Sequence, residues 1–111
     1  MAIDRQLVGR IRALVGDEPG LTEQRMFGGL AFLIGGHMAV TASGQGGLMI
    51  RVDPAQTSAL VATTPARRME MRGRELDGWL RVAAVDLADD ADLARWVKLG
   101  TTYARSLPPK G

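Results

Sequence analysis

The sequence contains no cysteine and one histidine, His37. The missing thiols remove disulfide scaffolds, thiolate zinc sites, iron–sulfur ligation and cysteine nucleophiles together, and they fit a reducing compartment. With a single imidazole, a multi-histidine metal site is excluded, and a Ser-His-Asp triad would have to be built on His37 alone. No apolar run approaches the roughly 18–20 residues needed to cross a bilayer. The first residues, Met1-Ala2-Ile3-Asp4-Arg5-Gln6, lack a basic segment followed by an apolar one. These absences lead to the expectation of a cytoplasmic chain with no membrane contact and no cofactor.

What is present is ordinary: 111 residues, 46% hydrophobic and 23% charged, which suits one globular domain over residues 1–111. A domain of this size buries roughly 60–70% of its unfolded surface and needs no covalent staple. The charge count is less simple, since 14 Lys+Arg against 12 Asp+Glu gives +2 while the isoelectric point is about 9.7. Arginine explains the gap, because guanidinium stays protonated and a small excess holds the isoelectric point high without making a large field. The placement of the charges therefore matters more than their sum.

Along the chain, Ile3, Leu7, Val8, Ile11, Leu14 and Val15 recur at helical spacing up to Gly16, predicting an amphipathic opening helix. From Glu23 to Val52 the pattern becomes short apolar runs separated by glycine, which predicts three antiparallel strands. Gly35-Gly36 reads as a two-residue hairpin turn, since paired glycines accept the positive φ angles of primed turns. Gly28-Gly29 reads as a bend or bulge at a strand entry rather than a phosphate loop, because strands and no helix flank it. Asp53-Pro54-Ala55-Gln56 carries a cap, a proline and a glutamine in the order of a helix start, and predicts a short helix over 54–61. Two strands over 67–72 and 78–82 follow, with 73–77 as their hairpin connection. Asp89, Asp90 and Asp92 then open a final helix whose stripe runs through Leu93, Trp96, Val97, Gly100, Tyr103, Ala104 and Leu107, with Lys98, Arg105 and Lys110 toward its end. The predicted order is α-β-β-β-α-β-β-α, an α+β domain with an antiparallel sheet.

Five blocks stand out: Arg25-Met26-Phe27-Gly28-Gly29-Leu30-Ala31-Phe32; Gly36-His37-Met38-Ala39; Leu48-Met49-Ile50-Arg51-Val52; Met71-Arg72-Gly73-Arg74-Glu75-Leu76-Asp77-Gly78-Trp79; and Leu93-Ala94-Arg95-Trp96-Val97 with Ala104-Arg105-Ser106-Leu107-Pro108. In these blocks and in their order the chain resembles the N-terminal domain of the TfoX (Sxy) competence regulators. The resemblance implies a two-layer α+β fold similar to that of secretion chaperones. It also implies a non-catalytic role in transcriptional, competence-related regulation. In the competence regulators this domain precedes a helical domain and works with a cyclic-AMP receptor protein. Here the sequence stops at Gly111, so the expectation is a free-standing domain that acts through an unidentified protein partner or by self-association.

One segment is densely basic: Arg67, Arg68, Arg72 and Arg74, with Glu70 among them. Projected from one strand face, these arginines could grip phosphates or an acidic partner, so nucleic acid is the alternative partner class. The plainer reading is a solvated face paired with Glu70, Glu75 and Asp77, since no aromatic residue is interleaved to stack bases. Trp79 and Trp96 read as core anchors, the methionines as core filling on strands that face helices, and His37 as a surface turn residue. Asp86, Asp89, Asp90 and Asp92 read as helix caps, and no residue is assigned a catalytic role. A small-ligand binder or enzyme would need convergent polar groups that no motif supplies.

Overall fold

The computed structural model describes residues 4–26 and 28–109. Helix α1, Arg5–Val15, starts where Asp4 accepts a hydrogen bond from the Leu7 amide at 3.1 Å. Its buried stripe is Leu7, Val8, Ile11 and Val15, while Leu14 stays 47% exposed and Ile3 lies outside the described residues. Strands β1 (Leu21–Met26), β2 (Gly29–Ile34), β3 (His37–Ala42) and β4 (Leu48–Arg51) then form an antiparallel meander. The stretch from Glu23 to Val52 thus contains one strand more than the glycine punctuation predicts. Met26 pairs directly with Gly29, and Gly28 has a φ of +71°, so the glycine pair belongs to a hairpin connection and not to a bulge. Phe27 lies outside the described residues. The Gly35-Gly36 turn forms as predicted, with φ of +59° and +85° between the paired residues Ile34 and His37.

Asp53 accepts from the Ala55 amide at 2.9 Å, and the chain enters helix α2, Thr57–Thr63, through a 3-10 turn at Pro54–Gln56. Strands β5 (Arg67–Met71) and β6 (Arg74–Val82) follow, then a 3-10 turn at Ala84–Leu87 and the long helix α3, Asp90–Ser106. Asp89 caps α3 by accepting from the Ala91 amide at 2.8 Å. The sheet has six strands in the order β1-β2-β3-β4-β6-β5, every neighbouring pair antiparallel. This is an α+β fold. None of its described helices is long and apolar enough to cross a membrane.

Strand alternation divides most of the apolar residues between two clusters, with Ile34, Ala39 and Ala104 forming a smaller third. Phe32, Val40, Ala42, Leu48, Ile50, Leu80 and Val82 pack with the stripes of α1 and α3. Ala31, Leu33, Met49 and Met69 face the other way and form a second cluster with Met38, which the extra residue Ala39 in β3 turns to that side, joined by Met26 and Trp79. Most of the methionines fill a core, as predicted, but their strand positions turn them away from α1 and α3, not toward them.

Ion pairs tie the outer elements to this frame. Arg10 reaches Asp90 at 2.9 Å and the Leu87 carbonyl at 2.7 Å, and Arg105 meets Glu18 at 2.7 Å. Arg12 grips Glu23 with two bonds, 2.9 and 2.7 Å, which join α1 to edge strand β1. Those hydrogen bonds hold the Glu23 carboxyl below its ordinary value against a smaller opposing effect of burial, and they raise the Arg12 guanidinium. Because the folded value lies below the unfolded one, the bridge supports the fold above the unfolded carboxylate pKa of about 4.3. That support is lost as the pH falls through the folded value. Thermal unfolding of wild type and Glu23→Gln should therefore show a small difference at neutral pH, narrowed by salt, that closes toward acid. A difference that persists or widens in acid would contradict the assignment.

Candidate functional site

The basic hairpin is built differently from its sequence prediction. Arg72 and Gly73, with φ of +54° and +78°, make a two-residue turn between the paired residues Met71 and Arg74. The connection is thus 72–73 and not 73–77. Residues 77–79 are instead looped out opposite the Arg68–Met69 step, where the pairing jumps from Arg68↔Leu80 to Met69↔Leu76. They face β4 and α2: Arg51 pairs with Trp79, the Gly78 carbonyl accepts from the Val52 amide at 2.9 Å, and the Gly78 amide donates to Thr57 at 2.7 Å.

This register separates the four arginines. Arg68 turns toward α2, donating to Asp77 at 3.0 Å and to Ser58 at 2.8 Å. Arg67 belongs to the opposite face, where it lies across from Arg81, and Arg81 lies across from Met49. Arg72 and Arg74 are exposed at the turn, and among the described residues neither forms an ion pair. Of the pairings predicted for the segment, Arg68 with Asp77 forms. Glu70 and Glu75 are each other's cross-strand partners and make no ion pair among the described residues. The guanidiniums thus leave the hairpin by two faces and its tip rather than forming one row.

Register brings in a residue that the sequence reading missed. Arg81 donates to Gln45 and to Ser43, each at 3.2 Å, and lines with Arg67, Met49 and Met69 an open cleft of about 600 Å³ that Arg68 also borders. Two like charges in direct opposition on a strand pair cost stability unless something neutralises them. Glu70 and Glu75 border the same cleft, so its charge is mixed.

A second concavity, about 570 Å³, lies where the end of α2 meets the 3-10 turn before α3. Its apolar surface comes from Leu60, Pro65, Val85, Trp96 and Leu99, and its rim carries Asp86, Asp89 and Asp92 together with Arg95. The geometry follows from local structure. The 3-10 turn buries Leu87 and throws Val85 outward, leaving it 80% exposed, the highest of the exposed large hydrophobics. Asp89 is there as the α3 cap, and Asp92 pairs with Arg95 at 2.8 Å. Asp86 makes no ion pair among the described residues. The aspartates predicted as caps are therefore caps in part, and together they border an apolar groove.

The remaining candidates are structural. Trp96 is 4% exposed, and Trp79 is half-buried with Arg51 5.3 Å from its ring centre; Arg51 also lies 5.7 Å from the Tyr103 ring. His37 opens β3, where its Nε2 meets the Pro108 carbonyl at 2.6 Å and fastens the chain beyond α3. Among the described residues no cluster of His, Cys, Asp or Glu is arranged to hold a metal ion.

A six-stranded antiparallel sheet with helices over one face defines a small α+β domain, and an apolar groove bordered by aspartates lies beside the helices. The chain belongs to the TfoX N-terminal domain family, whose sequence model matches residues 13–104. No curated protein matches the sequence significantly.

Proposed function

We propose that this chain is a non-catalytic, regulatory protein-interaction module that serves transcriptional, competence-related control and docks a protein partner in the groove between α2 and α3. Family membership supports the regulatory setting. The observation that carries the docking reading is Val85. A branched aliphatic side chain 80% exposed, continuous with Leu60, Pro65 and Leu99 and bordered by three aspartates and Arg95, has the build of an interface: an apolar centre inside a polar border. Burying Val85 and its neighbours against a partner supplies the affinity, and the aspartates select a partner of positive charge.

The test is capture from native cell extract by the wild-type chain and by Val85→Asp. The substituted side chain points into solvent, so the fold is retained and thermal stability shifts by no more than about 0.5 kcal/mol. A protein held by the wild type should be lost from Val85→Asp. Identical capture by both chains would overturn the docking reading.

A further inference from the structure

We propose that the groove takes the tip of the β5–β6 hairpin of a second copy of this chain. The proposal rests on the interaction-module reading and supplies the occupant. An occupant of this groove must bring an apolar group for Val85, Leu60 and Leu99 together with positive charge for Asp86 and Asp89. Among the described residues the exposed large hydrophobics are Leu14, Met71 and Val85. Met71, 43% exposed, sits at the hairpin tip beside Arg72 and Arg74, which are both exposed and free of ion pairs among the described residues. Met71 has Arg72 and its cross-strand partner Arg74 beside it, with Glu70 and Glu75 one pair behind, whereas Val85 has Asp86 and Asp89 beside it and the Asp92–Arg95 pair beyond, so cations lead at the tip and anions at the groove. Leu14 offers no such match, because the charged residues beside it, Arg10 and Asp90, already pair with each other.

The tip is also preformed. Positive φ at both Arg72 and Gly73 gives a primed turn that matches strand twist, so little ordering is required on docking. A thioether side chain adapts to an irregular apolar floor better than a branched one. The tip cannot enter the groove of its own chain. Strand β5 starts two residues after Pro65 of the groove and ends at the tip, so its five extended residues, roughly 13 Å long, hold the two surfaces apart. The contact is heterologous, tip to groove, so association runs head to tail and produces chains or a closed ring instead of a twofold dimer.

Sedimentation velocity of the full chain tests this. At ~50 mM salt the wild type should form concentration-dependent species heavier than a monomer, and at ~500 mM these should dissociate. Replacing Arg72 and Arg74 together with alanine should weaken association about tenfold, as expected for two exposed ion pairs. Met71→Asp and Val85→Asp should each be monomeric alone. Mixed in equal amounts they should form a dimer that grows no further, because only the groove of the first and the tip of the second remain intact. That dimer also establishes that both variants are folded. A wild type that stays monomeric at low salt, a single variant that assembles like the wild type, or a mixture that stays monomeric would each overturn the proposal. If the wild type is monomeric while Val85→Asp still loses a protein captured from extract, self-docking falls and the interaction reading stands. If the chains assemble as described while capture is insensitive to Val85→Asp, the reading of a heterologous protein partner falls instead.

Discussion

Replacing Phe32 with alanine is expected to lower the unfolding free energy by about 3–5 kcal/mol. Domains of this size are stable by only ~5–15 kcal/mol, so such a loss would bring the protein near its unfolding threshold. Phe32 is 0% exposed at the centre of β2, paired with Glu23 on one side and Val40 on the other, and it belongs to the cluster that joins Ile11 of α1 to Trp96 of α3. Truncation removes the ring from an apolar setting and leaves a cavity that strands hydrogen-bonded on both sides cannot collapse. Phe32→Leu, which keeps most of the volume, should cost less than about 1.5 kcal/mol. Urea unfolding measures both, with the midpoint moving and the denaturant slope unchanged. An alanine variant within 1 kcal/mol of the wild type, by the scale of surface substitutions, would mean that the ring is not a shared element of the core.

Gly100→Ala should destabilise by about 1–3 kcal/mol, although alanine is the better helix former by about 1 kcal/mol. The opposition of signs makes the prediction sharp. Gly100 lies in the middle of α3 where the helix crosses β3, and a Cβ built there would run into the Ala39 carbonyl and come within 2.9 Å of the Val40 Cγ1. The obstacle is mainly backbone, so the helix itself must lift away from the sheet. Lifting α3 loosens its contacts with Val40, Ala39 and Ile34 together. Gly100→Val should be worse again. If Gly100→Ala raised the unfolding midpoint, helix propensity would have won and the close approach of α3 to β3 would be wrong.

How much was legible in the sequence depended on whether the signal was local. The Asp53-Pro54 helix start, the Gly35-Gly36 turn and the Asp89 cap were all readable because each is completed within a few residues. Strand β1 was not readable as a strand: Thr22, Glu23, Gln24 and Arg25 are all exposed on a sheet edge, with no apolar alternation, and only pairing with β2 defines them. The turn at Arg72 was missed because a non-glycine residue at φ +54° has no compositional mark, whereas Gly78 looked like a strand start while serving the looped-out segment. The arginine segment was located correctly in sequence, but its division between two faces and a tip is set by a register jump opposite Asp77, Gly78 and Trp79. Arg81 joined Arg67 for the same nonlocal reason. Val85 gave least warning, as one apolar residue in Ala83-Ala84-Val85-Asp86-Leu87 whose exposure follows from the 3-10 turn burying Leu87 in its place.

Capture from native extract, run in parallel with the wild type, Val85→Asp and Leu14→Asp, bears most directly on the claim that this groove is a docking surface. Leu14, 47% exposed and outside the groove, controls for loss of any exposed hydrophobic. The groove account predicts a protein retained in comparable amount by the wild type and Leu14→Asp and absent from Val85→Asp. Equal retention by all three chains, or loss from Leu14→Asp with retention by Val85→Asp, would contradict it.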